Sequence, residues 1–190
     1  MATPNFDIIH LRFARRMRDP AATGGTAGKV YTVANRSDYL NRANKILQFQ
    51  KFQKLGRDGV REQLQTLVTT HALTFAGAGI AVEAAYNNIP LAVSKASSTN
   101  LYRYWPRREE ITLNLNPDLP YLFTVENNTL YVYESGELVA SGTGSFYYIK
   151  KDEITEGGAT DIALPEVFWD ELVDIAVALA TGEDKRPANG

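Results

Sequence analysis

The sequence predicts an α+β protein: a small helical bundle formed by N-terminal helices and a C-terminal helix, with an inserted antiparallel β segment. Three observations lead there. Up to about residue 71, apolar side chains recur every three or four positions, as on one-sided helices. From about Ala72 the composition turns to Val, Ile, Thr and aromatic residues punctuated by Asn, Pro and Gly, which suits strands and tight turns. Residues 165–182 return to a helical pattern, and a lone helix of about 17 residues is marginal in water without a packing partner. The expected division is 1–71 for the N-terminal helices, 72–160 for the inserted β-rich segment, and 161–190 for a returning helix with a polar tail.

A first helix is expected over Asn5–Met17, with Phe6, Ile9, Phe13 and Met17 on its buried side and Asp19-Pro20 ending it. Residues 20–35 are small, Gly-rich and polar, which predicts a loop. Ser37 and Asp38 offer an N-cap for a second helix to about Leu55, with Leu40, Ala43 and Leu47 in line. Gly56 breaks it, and Asp58 starts a third helix with Val60, Leu64, Leu67 and His71 in register. Residues 106–118 are ambiguous, with one short helix begun by Pro106 as their reading.

Residues 122–151 form a meander of antiparallel strands, in which Tyr121, Phe123 and Val125 alternate with Leu122, Thr124 and Glu126. Asn127-Asn128 and Ser135-Gly136 are the turns that such hairpins need. Residues 153–161 connect to the last helix. There Pro165 supplies a first-turn residue, Glu166, Asp170 and Glu171 favour the positive N-terminal end, and Gly182 terminates. Phe168, Leu172, Ile175 and Leu179 recur on one face.

Reactive side chains are scarce in these 190 residues. There is no cysteine and only two histidines, His10 and His71, which removes thiolate chemistry and most zinc sites. GGTAGK (24–29) fails as a phosphate loop: Gly24 and Gly25 leave too few residues before Lys29, and Val30 stands where Ser or Thr must bind magnesium. Gly77 and Gly79 begin a dinucleotide-like fingerprint, but Val82 takes the place of the third glycine. In GTGS (142–145) a bulge or tight bend is expected. Glu109-Glu110 and Asp152-Glu153 are expected to be solvated charge. No catalytic residue, cofactor or metal is expected. No segment has the run of about 18 apolar residues that a membrane span needs, and no secretory stretch follows the N-terminus, so synthesis in a cytoplasm is expected.

The net charge of −2 conceals a strong polarity. Residues 1–57 carry 11 Lys+Arg against 3 Asp+Glu, residues 58–108 carry 5 against 3, and residues 109–190 carry 4 against 16. Such asymmetry suggests nucleic acid, an acidic partner, or copies of the chain meeting head to side. Alternatively, opposite ends fold against each other and cancel locally. Arg12, Arg15, Arg16 and Arg18 crowd the first helix at helical neighbour spacing, which costs a few tenths of a kcal/mol per like-charged pair. With Asp170, Glu171 and Asp174 on the last helix, they are the candidate interface residues, and a protein partner is favoured over DNA because no helix-turn-helix or aromatic–basic interleaving is present.

In order along the chain, FDIIHLRFARRMRDP, SDYLNRANKILQ, LFTVENNTLYVYE with GSFYYIKKDEIT, and LPEVFWDELVDIAVALATGE resemble the pieces of the head-to-tail adaptor (connector, or neck) proteins of tailed bacteriophages. The resemblance spans most of the chain, except residues 72–118. It implies a virion structural protein without enzymatic activity. Such a subunit forms a dodecameric ring below the portal, joins the capsid to tail or neck proteins, is assembled in the host cytoplasm, and lets double-stranded DNA pass. Two rivals stand beside it: a tail or capsid-decoration binding module, and a nucleotide-binding enzyme using Gly77 and Gly79.

Overall fold

The computed structural model describes residues 5–19, 31–83, 86–113, 119–155 and 162–184. Helix and sheet are mixed and the sheet is curled, an α+β fold. The chain divides into two compact units, one comprising residues 1–67 and 152–190 and the other residues 68–151. The β unit thus begins four residues before the expected Ala72 and gives the chain back nine residues earlier than expected.

In the first unit, α1 (Asn5–Arg16) buries Ile9, His10, Phe13 and Ala14, while Met17 is only half-buried. The expected Phe6 side chain lies outside the described residues. Helix α2 (Val33–Gln63) starts earlier than Ser37 because Thr32 takes the N-cap, its Oγ1 accepting from the Asn35 N–H at 3.2 Å. Leu40, Ala43 and Leu47 are buried as expected, with Tyr39 beside them. Gly56 interrupts α2 at φ 66°, ψ −169°, a conformation that side chains with a Cβ avoid, so the break is a kink between two helical stretches. The second stretch stops at Gln63. Leu67 closes a short 3₁₀ turn, and His71 lies on a strand rather than in helical register.

A 3₁₀ turn over Glu166–Phe168 leads into the C-terminal helix, Trp169–Asp184, which runs through Gly182 instead of stopping there. Its buried stripe is Trp169, Leu172, Val173, Ala176 and Ala180; Ile175 and Leu179 are half-buried. The expected Phe168 and Leu172 are buried, but beyond them the buried face passes to Val173, Ala176 and Ala180 instead of Ile175 and Leu179. This C-terminal helix packs on both α1 and α2.

The second unit is an eight-stranded sheet: β1 (Val68–Phe75), β2 (Ile80–Ala81), β3 (Tyr86–Lys95), β4 (Leu101–Tyr104), β5 (Tyr121–Glu126), β6 (Thr129–Glu134), β7 (Glu137–Leu138) and β8 (Gly142–Lys150). The order is β1-β8-β3-β4-β5-β6-β2, with β7 also on β6. Strands β1 and β2, at opposite ends of that order, are joined by only residues 76–79, which requires the sheet to curl. Asn127-Asn128 and Ser135-Gly136 all have positive φ and make the two expected hairpins. The meander ends there. Strand β8 leaves β7 to pair between β1 and β3, and β4 pairs with β5 in parallel, so the segment is not purely antiparallel. A short helix, α3 (Arg108–Thr112), begins after Arg107 rather than at Pro106; the helix Trp169–Asp184 is α4 from here on.

The curl encloses Leu73, Phe75, Tyr86, Val93, Tyr102, Phe123, Leu130, Val132, Val139, Phe146 and Tyr148. On the other face of β5 and β6, α3 sets Ile111 against Leu122 and Tyr133. Strand alternation therefore serves two cores, one on each face of β5.

Candidate interaction surface

The charged seam between α1 and α4 arises from sequence spacing on both sides. Arg12 and Arg16 are one turn apart on α1, and Glu166, Asp170 and Asp174 repeat every four residues at and within the start of α4. The Arg12 guanidinium donates to Asp170 Oδ1 at 3.1 Å and lies 3.9 Å from Glu166 Oε1. Arg16 reaches Asp170 Oδ1 at 3.6 Å and also pairs with Asp174. Lys51 on α2 pairs with Glu171 at 2.6 Å, with its ammonium 4.8 Å from the Phe168 ring centroid. The Arg12 guanidinium also stands 5.7 Å from the Trp169 ring.

Of the seven candidate interface residues, Arg12, Arg16, Asp170, Glu171 and Asp174 are thus engaged within one chain. Their charges cancel locally, the alternative that polarity by itself left open. Arg15 and Arg18 are exposed and make no ion pair among the described residues. The sequence counted four arginines as one cluster; the structure pairs Arg12 and Arg16 with the C-terminal helix and leaves Arg15, on α1, and Arg18, beyond its end, exposed.

Polar residues that the sequence did not single out organise the rest of this unit. Asn41 accepts the Ile154 N–H at 2.7 Å and donates to the Ile154 carbonyl at 3.0 Å. Asn44, fully inside, donates to the Asp152 carbonyl at 2.9 Å and accepts from Gln48 at 3.2 Å. Asp152 is no solvated charge: its two carboxylate oxygens each accept a backbone N–H at 3.0 Å, from Ala163 and Leu164. The Trp169 indole N–H donates to the Leu164 carbonyl at 2.9 Å. Asp19, also fully buried, accepts the Tyr31 N–H at 3.0 Å and pairs with Arg36 at 3.4 Å. The only sequence signal was two asparagines three apart on an otherwise apolar line of α2.

In the β unit, two tyrosines of the enclosed core carry their hydroxyls to carboxylates. Tyr148 donates to Glu83 Oε2 at 2.6 Å, and His71 Nδ1 lies 2.7 Å from Glu83 Oε1. The Tyr148 bond first, and His71 second, hold the Glu83 carboxyl below the usual range. Tyr102 donates to Glu134, which Lys95 also meets at 3.0 Å. The Tyr102 bond, followed by Lys95, lowers that carboxyl too, while burial pushes both phenols up.

The glycine motifs have packing explanations. Gly77 and Gly79 lie in the connection from β1 to a two-residue strand, and no helix begins there to receive a phosphate. A Cβ on Gly79 would run into Thr129 and stand 2.7 Å from the Tyr131 ring. In the 142–145 stretch the pairing of β8 with β1 is unbroken, so the expected bulge is absent; Gly144 is instead needed because a Cβ would collide with the Ser94 carbonyl. The irregularity falls on β3, between Tyr86 and Ala92 around Pro90. Residues 24–29 lie outside the described residues. Among the described residues, no group of His and acidic side chains could hold a metal, and no helix is long and apolar enough to cross a membrane.

Comparison with known proteins gives no match to a protein-family model and none to a curated protein sequence.

Proposed function

We propose that this chain is a structural subunit of a tailed-phage virion. In this reading it is a head-to-tail adaptor without catalytic activity, whose helices form a small bundle and whose copies make a ring below the portal. The carrying observation is the return of α4 onto α1 and α2 after the β unit, tied by pairs as far apart in sequence as Arg12 and Asp170. Helices, then a β segment, then a helix that completes the first layer is the arrangement that the resemblance implies. The ring is dodecameric by that resemblance, with double-stranded DNA passing through it and tail or neck proteins below.

Negative-stain images of the purified full chain, alone and mixed with a purified phage portal protein, test this directly. Rings, or a layer added to the portal ring, are the expected result. A chain that stays monomeric and does not sediment with the portal would overturn the reading. Calorimetric titration with NAD, FAD or ATP tests the rival: micromolar binding would replace a structural subunit by a nucleotide-binding enzyme.

A further inference from the structure

Each unit carries one surface feature that its own packing does not use. In the β unit it is a notch. Strand β4 pairs with β3 through Val93 with Tyr102 and Ser94 with Leu101, but with β5 only through Arg103 with Leu122 and Tyr104 with Phe123. Toward the starts of these two parallel strands, residues 100–101 and 119–121 part without pairing. Both walls are fixed: the Pro120 carbonyl accepts the Ser135 N–H at 2.7 Å, and the Asn100 N–H donates to Ser98 Oγ at 3.0 Å. Between them is a space of about 200 Å³ lined by Asn100, Leu101, Arg103, Leu119, Pro120 and Tyr121. Sites for whole small molecules run to about 300–1,000 Å³, so this one has room for a single side chain. Leu101 is 66% exposed at the notch. Arg103 is also exposed and has no ion pair among the described residues, whereas Lys95 and Arg107 meet Glu134 and Glu110.

On the helical unit the feature is a knob. In the 3₁₀ turn before α4 the Phe168 N–H donates to the Pro165 carbonyl at 3.0 Å, and the Phe168 ring is buried. With three residues per turn, Glu166 and Val167 are sent outward. The dipole of α4 accounts for a carboxylate at Glu166. It gives no reason for Val167, which at 80% is the most exposed of the large hydrophobic residues described. Glu166 keeps most of its side chain in solvent and approaches Arg12 only to 3.9 Å, because Asp170 holds that guanidinium more closely at 3.1 Å.

We infer that Val167 of one copy seats in the β4–β5 notch of a second copy, with Glu166 meeting Arg103. This rests on the ring reading above and names the surfaces through which copies meet. One aliphatic side chain matches a space for one, and a loosely held carboxylate matches the Arg103 guanidinium. Leu101 adds apolar cover over the seated valine. Knob and notch are different surfaces of one chain, so the contact is heterologous and passes from copy to copy, as a ring requires.

The chain has no cysteine, so the contact can be trapped. Full-length Leu101→Cys and Val167→Cys proteins, mixed and oxidised, should give a disulfide-linked dimer, because seating brings the two Cα atoms within the roughly 4–7 Å that a disulfide spans. Leu113→Cys, at a similarly exposed residue of the β unit, mixed with Val167→Cys sets the level of chance collision. In sedimentation of the full chain, Val167→Asp should raise the concentration for half-assembly by at least about tenfold. Arg103→Glu or Glu166→Arg should raise it about two- to fivefold, and the double reversal should return it to the wild-type value. Circular dichroism checks that each variant folds. Cross-linking no better than the Leu113→Cys control, or Val167→Asp assembling like wild type, would overturn this docking and leave the ring reading standing. A wild type that never associates would overturn both. If Val167→Asp assembles normally but no longer sediments with a phage portal protein, the docking is overturned and the knob belongs to that interface.

Discussion

The two units are held together by different means. The β unit has an aromatic interior, in which Phe146 stands 5.2 Å from Tyr148, 5.7 Å from Tyr86 and 6.0 Å from Phe123, ring centre to ring centre. Two of its buried tyrosines, Tyr102 and Tyr148, end in hydrogen bonds to Glu134 and Glu83. Among its described residues the helical unit has one cluster of ring contacts, Phe13 with Tyr31 and Tyr39, and is otherwise packed by aliphatic side chains such as Leu40, Leu47, Leu64 and Leu172, with amide clamps and charges that join distant parts of the chain. A strand in a curled sheet finds its partners through backbone pairing, whereas a returning helix must be told where to lie. Asn41, Asn44 and Asp152 provide that direction, because a buried amide or carboxylate is satisfied only in one placement.

The tryptophans make the comparison measurable, since the chain has only two, Trp105 in the β unit and Trp169 in the helical unit. The largest effect is expected from Phe146→Ala. Removing a fully buried ring should cost about 3–5 kcal/mol in denaturant unfolding followed by Trp105 fluorescence in a Trp169→Phe background. An effect below about 1 kcal/mol would mean that the interior collapses around the gap.

Leu172→Ala should come next, at about 2–5 kcal/mol, read from Trp169 in a Trp105→Phe background. A loss under half that range would make α4 peripheral to the helical unit. Asn41→Ala removes both bonds to Ile154 and leaves its N–H and carbonyl to find new partners, for a cost of about 1–3 kcal/mol. If Asn41→Ala unfolds with the wild-type midpoint, the amide clamp does not direct the return of the chain.

The pH response should separate the units further. Glu83 and Glu134 have folded pKa values below their unfolded ones, so their contribution is complete above the unfolded pKa and disappears as pH falls through the folded values. Acid should therefore weaken the β unit, and Glu83→Gln should flatten that dependence on the acid side while keeping an acceptor for Tyr148. An unchanged acid slope in thermal melts would show that the tyrosine–carboxylate contacts add nothing to folding. The smallest effect is expected at the seam: a double-mutant cycle on Arg12 and Asp170 should give about 0–1 kcal/mol, decreasing with salt, because both side chains are substantially exposed. A larger coupling that resists salt would mean that the seam is drier than its exposure suggests.

Local chemistry was legible in the residues themselves. Periodicity placed α1, most of α2 and α4; Asn127-Asn128 and Ser135-Gly136 marked both hairpins; Gly56 marked the kink. These features depend on steric limits and spacing within a few residues, which a sequence displays directly. The charge polarity was legible too, as a total. Only the tertiary structure decided how that total is used, because an arginine's partner is set by which helix face meets which, and Asp170 lies 158 residues from Arg12. The same holds for β8, whose place between β1 and β3 depends on the curl of the sheet, and for His71, which the helical pattern claimed and the strand pairing took. Asn44 and Asp152 look like ordinary surface residues in a sequence. They became structural when long-range packing buried one and gave the other two backbone N–H groups; the place of Asn44 on the apolar line of α2 is the one trace of that in the sequence.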